Sequence, residues 1–254
     1  MTDIYQSLFF CILCFSRKSF FRRMKTDKIC VGCDECNKKS PLFASLTEDE
    51  LKQLNTDRYS VRFHKGEVIL KQGTRADYLL SLIEGFAKMY IEGDHGRNLV
   101  LDFITPPRIL GGPGAQVEGK HKYSVVAIRE TLICFIDLES FKKVFASSNR
   151  FAEQFLIHCS GNYLTALDRM VGISQKQMHG RMADALIYLS EDIYRGRPIG
   201  EEISRQDIAE YTCMSKDSAI RVLKEFERDQ ILSLQGKKVE VLDSGRLREI
   251  ADKG

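Results

Sequence analysis

The chain has 254 residues, 43% of them hydrophobic and 29% charged, with a net charge of +3. That length holds two ordinary domains with proper cores, and the balance excludes a disordered or fibrous chain. A charge so close to neutral neither demands nor forbids a nucleic-acid partner, which would have to be met by a local basic face.

Residues 1–40 read as an N-terminal extension. Residues 4–15, IYQSLFFCILCF, are apolar and are followed by the basic SRKSFFRRMK. The run is too short to span a bilayer and lacks the basic segment that precedes a signal-peptide core, so no stable membrane insertion is expected. Two readings stay open: an anchor on a membrane surface, or a start at Met24 that leaves residues 1–23 unmade. Of eight cysteines, five lie in the first 36 residues, which points to metal ligands or free thiols in a reducing cytoplasm rather than to disulfides. Cys30, Cys33 and Cys36, at steps of three, can converge on one iron–sulfur cluster if a fourth ligand arrives from elsewhere. Cys11, Cys14, Cys30 and Cys33 have instead the spacing of a four-cysteine zinc site. Thiols that hold no metal are the third reading, and residue spacing leaves all three open.

From 41 to 147 the pattern is that of a sensor domain. LFASLTEDELKQL predicts a short amphipathic helix, with Thr47 as its cap and Glu50 closing a capping box. Between Tyr59 and Asp137, short runs rich in β-branched and aromatic residues (VRF, EVIL, YLLSLI, FAKMYI, NLVLDFI, YSVVAI, LICFI) alternate with glycine turns. Many short strands with frequent turn signals predict an antiparallel sandwich or jelly roll.

Residues 148–175 turn helical. Leu156, Tyr163 and Met170 recur every seven residues, with Leu167 between the last two, which predicts a long helix with an apolar seam for a partner chain and hence a homodimer. The other outcome is a helix packed only on its own barrel. Gly161 and Gly172 weaken the helical pattern, and the linker is expected over Gly172–Gln177. His158 and Cys159 are adjacent on this helix, share no face, and read as packing or surface residues.

Residues 176–246 read as a winged helix-turn-helix. A first helix from Met178 carries Met182, Ala185, Leu186, Leu189 and Ile193 as its apolar stripe, and Gly196 with Pro198 stops it. Ser204 with Asp207 forms a capping box for a second helix, and Ser215 caps a third. On the third, Ala219, Val222, Leu223 and Phe226 make one apolar stripe. The opposite face carries Lys216, Asp217, Ile220, Arg221 and Lys224, polar groups placed where a recognition helix reads base edges. ILSLQGKKVEVLD then predicts a hairpin turning at Gln235–Lys238.

The string ISRQDIAEY-x3-SKDSAIRVLKEFE resembles the DNA-binding segment of the catabolite-activator and fumarate-nitrate-reductase-regulator (CRP/FNR) transcription factors, and the two-domain layout is similar from about Pro41 to Leu242. The resemblance implies an α+β fold: an N-terminal cyclic-nucleotide-binding-like antiparallel β jelly roll, a long dimerisation helix, and a C-terminal winged helix-turn-helix. It implies a regulator that binds a palindromic promoter site on double-stranded DNA as a homodimer, with RNA polymerase as a further partner. Ser204, Arg205 and Gln206 match the family's phosphate-contacting triplet, which suits a helix N-terminus. Asp217 and Arg221 match its base-reading pair, and Ser215 and Lys216 complete the interface. Arg221 can fork onto guanine O6 and N7.

The phrases FHKGEVILKQG and LIEGFAKMY resemble the opening strands of a cyclic-nucleotide-binding barrel. Nucleotide-binding members hold the ribose with a glutamate and the cyclic phosphate with an Arg-Ser pair. The corresponding effector positions here are Gly111 and Gly112, with no glutamate, and Lys122, Tyr123 and Ser124, with no Arg-Ser fork. Cyclic AMP is therefore not expected, although Lys122 leaves room for another anion. Cys134 stands where the family's oxygen sensors place their distant cysteine, which with Cys30, Cys33 and Cys36 implies a [4Fe–4S] cluster sensing redox state, oxygen or nitric oxide. The N-terminal spacing is more even than in those sensors, and Ser40 stands where they have a cysteine. Rival classes are an iron–sulfur or zinc redox protein and a cyclic-nucleotide-binding regulatory subunit. An enzyme is not expected: no paired catalytic carboxylates, nucleophile–base set or phosphate-cradling loop stands out.

Overall fold

The computed structural model describes residues 40–111 and 117–254. Ten strands and seven α-helices organise the described residues. The sensor half holds β1 (Tyr59–Phe63), β2 (Val68–Leu70), β3 (Tyr78–Glu84), β4 (Ala87–Glu92), β5 (Asn98–Ile104), β6 (Arg108–Leu110), β7 (Ser124–Ala127) and β8 (Thr131–Asp137). They form two four-stranded antiparallel sheets, ordered β1-β8-β3-β6 and β2-β7-β4-β5, the jelly-roll-like sandwich expected from the alternating strands and turns. Between the sheets, Val61, Leu80, Leu82, Ile104, Val125 and Ile133 are buried, with Tyr59 and Phe135 stacked 4.9 Å apart at the margin.

A helical layer covers the outer face of the first sheet. After a 3-10 turn at Pro41–Ser45, helix α1 (Glu48–Asn55) starts at Thr47, whose hydroxyl and the Glu50 carboxylate close the expected box. Helix α2 (Leu138–Ser147) follows, capped by Asp137. Leu42, Phe43, Leu54, Phe141 and Phe151 join Leu132, Cys134 and Ile136 of β8 in one apolar cluster.

Helix α3 (Asn149–Gln175) runs unbroken for 27 residues, a span of about 40 Å at the α-helical rise. Gly161 and Gly172 lie inside it, and the chain leaves helical geometry only at Lys176, so the connection is shorter than the expected Gly172–Gln177 linker. Neither glycine is strained there, because a single glycine lowers helix propensity without preventing the hydrogen bond.

The C-terminal half holds α4 (Met178–Tyr188), extended by a π turn at Leu189–Ile193, then α5 (Arg205–Tyr211), α6 (Lys216–Arg228), the hairpin β9 (Leu232–Gln235) and β10 (Lys238–Val241), and α7 (Ser244–Lys253). Helix α7 was not read from the sequence. Asp243 caps it, and Leu247 and Ala251 pack it on the domain core. This core is continuous with the sensor: Phe86, Val100, Phe103 and Ile128 join Met182, Leu186, Ile208 and Phe226 in one cluster. Among the described residues no helix is long and apolar enough to cross a membrane.

Candidate nucleic-acid interface

Helices α5 and α6 meet through a tight turn in which Cys213 takes a left-handed conformation at φ 54°. Met214 N–H donates 2.9 Å to Ala209 O and closes that turn. The Ser215 hydroxyl accepts from Ser218 N–H at 3.1 Å and opens α6. Ala219, Val222, Leu223 and Phe226 are then buried to within 2% exposure, so the opposite side of the helix has to face outward. That side carries Asp217, Ile220, Arg221 and Lys224, spaced i, i+3, i+4 and i+7, which align along one helix face. Lys216, Asp217, Arg221 and Lys224 are exposed. None of these four side chains has an ion-pair or hydrogen-bond partner among the described residues.

Helix α5 supplies the neighbouring end. The Ser204 hydroxyl accepts from Asp207 N–H at 3.1 Å while the Asp207 carboxylate accepts from Ser204 N–H at 2.8 Å, so the box fixes the helix N-terminus. Gln206 is exposed, and Ser204 is partly so. Arg205 departs from the simple phosphate-contact picture. It is half-buried and donates 3.3 Å to Gly236 O at the turn of the β9–β10 wing. Desolvation pulls its pKa below the ordinary guanidinium value, opposed by the charge of Glu227. In this conformation Arg205 ties the helix to the wing and lies beside the outward face. Gly236 itself sits at φ 61°, the left-handed geometry that a two-residue hairpin turn requires.

The described effector positions point to different partners. Gly111 N–H donates 2.9 Å to the Tyr123 hydroxyl, whereas Lys122 reaches out to pair with Glu118 at the surface. Ser124 is fully buried; its hydroxyl donates to Glu92 at 2.5 Å and accepts from Gln72 N–H at 3.0 Å. Glu92 also pairs with Lys71 at 2.6 Å, and these two partners hold its carboxyl below the usual range. Sequence reading missed Glu92, at the end of β4, and Lys71 and Gln72, just after β2, which are distant from Ser124 in the chain. Gly112 lies outside the described residues.

Cys134 sits on β8 opposite Ser60 of β1 and Ser81 of β3, and is buried in the same helix-covered cluster as Leu42 and Phe43. Arg58 Nη1 donates to its sulfur at 3.3 Å. Cys30, Cys33 and Cys36 lie outside the described residues, as do Cys11 and Cys14.

A further set of groups, also missed, joins the two halves. Lys88 of β4 pairs with Asp207 and, at 3.7 Å, with Glu210 of α5. Asp102 of β5 accepts from Tyr188 of α4 and from Arg108 at 3.0 Å. The rings of Tyr188 and Tyr211 stack 5.6 Å apart, and burial raises the pKa of both phenols, that of Tyr211 to about 12.

The fold and this site define a two-domain regulator: a sensor barrel carrying a winged helix-turn-helix with its reading face outward. Comparisons with known proteins agree. The cyclic nucleotide-binding domain model matches residues 60–148, and the Crp-like helix-turn-helix domain model matches residues 180–250. The transcriptional activator protein Anr of Pseudomonas protegens is 25% identical over 192 residues, covering 74% of this chain and 78% of its own. The fumarate and nitrate reduction regulatory protein of Escherichia coli K12 is 22% identical over 240 residues, covering 92% and 96%. A crystal structure of a putative crp/fnr-family transcriptional regulator from Eubacterium rectale superposes with a TM-score of 0.71 at 20% identity, covering 84% of this chain and 98% of that one. The chain belongs to the CRP/FNR family of transcription regulators, and it is not an enzyme.

Proposed function

We propose that this chain is a sequence-specific regulator that binds an interrupted palindrome in promoter DNA as a homodimer. The observation that carries this reading is the outward strip on α6, where Asp217, Arg221 and Lys224, with Ile220 among them, have no ion-pair or hydrogen-bond partner among the described residues and lie beside the capped end of α5. Arg221 would fork onto a guanine while Asp217 steadies it or accepts from a cytosine amino group, and Ser204 and Gln206 would take the phosphate backbone. Ser215 and Lys216 would sit at the helix end that enters the groove.

The α3 seam supports the dimer. Leu156, Ile157, Tyr163, Leu164, Met170 and Val171 are each more than half exposed, and Ser160 and Gly161 lie in the same shallow groove as Leu156 and Leu164. Small residues there let a second copy of the helix approach closely, and a two-fold axis would set two reading heads about one turn, ~34–36 Å, apart. RNA polymerase as a partner and a cytoplasmic location rest on family membership.

For the signal, the satisfied network around Ser124 and the outward Lys122 argue against a cyclic phosphate. Cys134 supports a cysteine-held [4Fe–4S] cluster. It belongs to the same buried cluster as Leu42 and Phe43, which follow Cys36 by a few residues in the chain, and a guanidinium donates to its sulfur, as outer groups do for ligating thiolates. Such a cluster would supply redox chemistry that oxygen or nitric oxide can alter. Two experiments test the two halves of the proposal. A duplex selected by the protein from a random pool should show a two-fold repeat, and Arg221→Ala should lose its footprint on that duplex while staying dimeric. Protein made without oxygen, from both Met1 and Met24 starts, should contain iron and sulfide; zinc alone would point to a structural site.

A further inference from the structure

Arg169 lies on α3 less than two turns before the helix ends, and its guanidinium touches three parts of the molecule. Nη1 donates to Leu101 O and Nη2 donates 2.5 Å to Val100 O, both on β5 of the sensor. Nη2 also donates 2.8 Å to Tyr211 O at the end of α5, and the guanidinium lies over the Tyr211 ring at 4.0 Å. The β5 carbonyls are available for a physical reason. β5 is the edge strand of its sheet, and a register shift opposite Met89–Tyr90 leaves Leu101 without a strand partner. A planar fork with fixed donors can take such a set of oxygens while lying over the Tyr211 ring, whereas a lysine ammonium has three donors but neither the fork nor the flat face.

Lys88 works on the same joint from the other side. Its ammonium is largely buried and lies between the Asp207 and Glu210 carboxylates. Asp207, Glu210 and Tyr211 share one face of α5, and that face is turned to the sensor sheet. Ser204, Gln206 and the α6 strip remain on the free side, so docking leaves the reading surface open.

We propose that Arg169, supported by Lys88, is a positioning residue for DNA recognition: it fixes the winged helix on the sensor sheet so that two reading heads in a dimer are pre-set to successive grooves. This rests on the DNA-binding reading above. A single head needs no such fixing to bind one half-site. A pair does, because a loosely tethered head must be ordered again when the second half-site is engaged.

The test uses the full-length protein and the duplex that the wild type selects from a random pool, beside a duplex carrying one half-site. Arg169→Ala, Arg169→Lys and Lys88→Gln are compared by equilibrium binding, with thermal unfolding and dimer mass as checks. Arg169→Ala should weaken full-site binding by at least about tenfold, the scale of losing charge-assisted hydrogen bonds, and leave half-site affinity unchanged. Arg169→Lys should rescue little, and Lys88→Gln should fall in between. Full-site affinity that is unchanged, or that rises because docking restrains the reading heads, overturns the proposal. So does an equal loss on both duplexes, which would mean that Arg169 only stabilises the fold. If Arg169→Ala does not fold, the same outcomes apply to Lys88→Gln. A wild type that selects no duplex overturns the DNA-binding reading itself, which separates the two failures.

Discussion

Two polar regions of this molecule have opposite fates. Around Ser124 in the sensor, the hydroxyl, the Glu92 carboxylate, Lys71 and the Gln72 amide satisfy one another. On the outer face of α6, Lys216, Asp217, Arg221 and Lys224 are held by a well-packed helix and find no ion-pair or hydrogen-bond partner among the described residues. A polar group already satisfied internally has little to gain from a ligand, whereas exposed charges on a rigid scaffold give up only hydration and side-chain freedom, and no internal partner, when an outside one arrives. On the proposed reading α6 is the ready binding surface, while Ser124 in the barrel is engaged in an internal network.

The sharpest way to break this contrast is at Arg221. Arg221→Ala removes one forked contact per head, each on the order of 1–3 kcal/mol, so a dimer should lose ~2–6 kcal/mol of specific binding. Footprinting titrations measure it, and gel filtration should show the dimer unchanged. The support beneath the face comes next. Phe226 is almost fully buried in the cluster shared by both halves, so Phe226→Ala should cost ~3–5 kcal/mol of stability, read by denaturant unfolding. Ser204→Ala opens the capping box of α5 and should cost about 1 kcal/mol, seen as a small fall in unfolding temperature. Smallest is the sensor side. Lys122→Ala breaks an exposed pair with Glu118 and should change stability by less than about 1 kcal/mol, and cyclic AMP should not shift the unfolding temperature of either protein. A clear shift would show that the barrel still holds a phosphate.

Much of the DNA-binding half was legible in the sequence because its determinants are local. The Ser204–Asp207 box, the Ser215 cap, the stripe from Ala219 to Phe226 and the turn at Gly236 each act within a few residues, and the structure places them as the spacing implies. Helix α7 had a signal too, in the Asp243 cap and the four-residue step from Leu247 to Ala251, which went unread. The joint between the halves had no such signal. Lys88, Asp102, Arg169, Tyr188 and Tyr211 lie on five different elements, and each alone resembles an ordinary surface residue of its own strand or helix. Asp207 was legible only as a cap, although the same carboxylate also pairs with Lys88. Arg205 illustrates the converse: its place in the motif suggested a free phosphate contact, and the structure gives it a bond to the wing. Local rules set the elements, and long-range pairing decided how they were joined.

The central claim is that the outward face of α6 reads base edges in the major groove. Methylation interference at guanine N7 tests it most directly, on a duplex selected by the wild-type protein. The account predicts that methylating a guanine in each half-site, two positions related by two-fold symmetry and about one helical turn apart, blocks binding. Binding that tolerates N7 methylation at every guanine of a selected site containing them would contradict it.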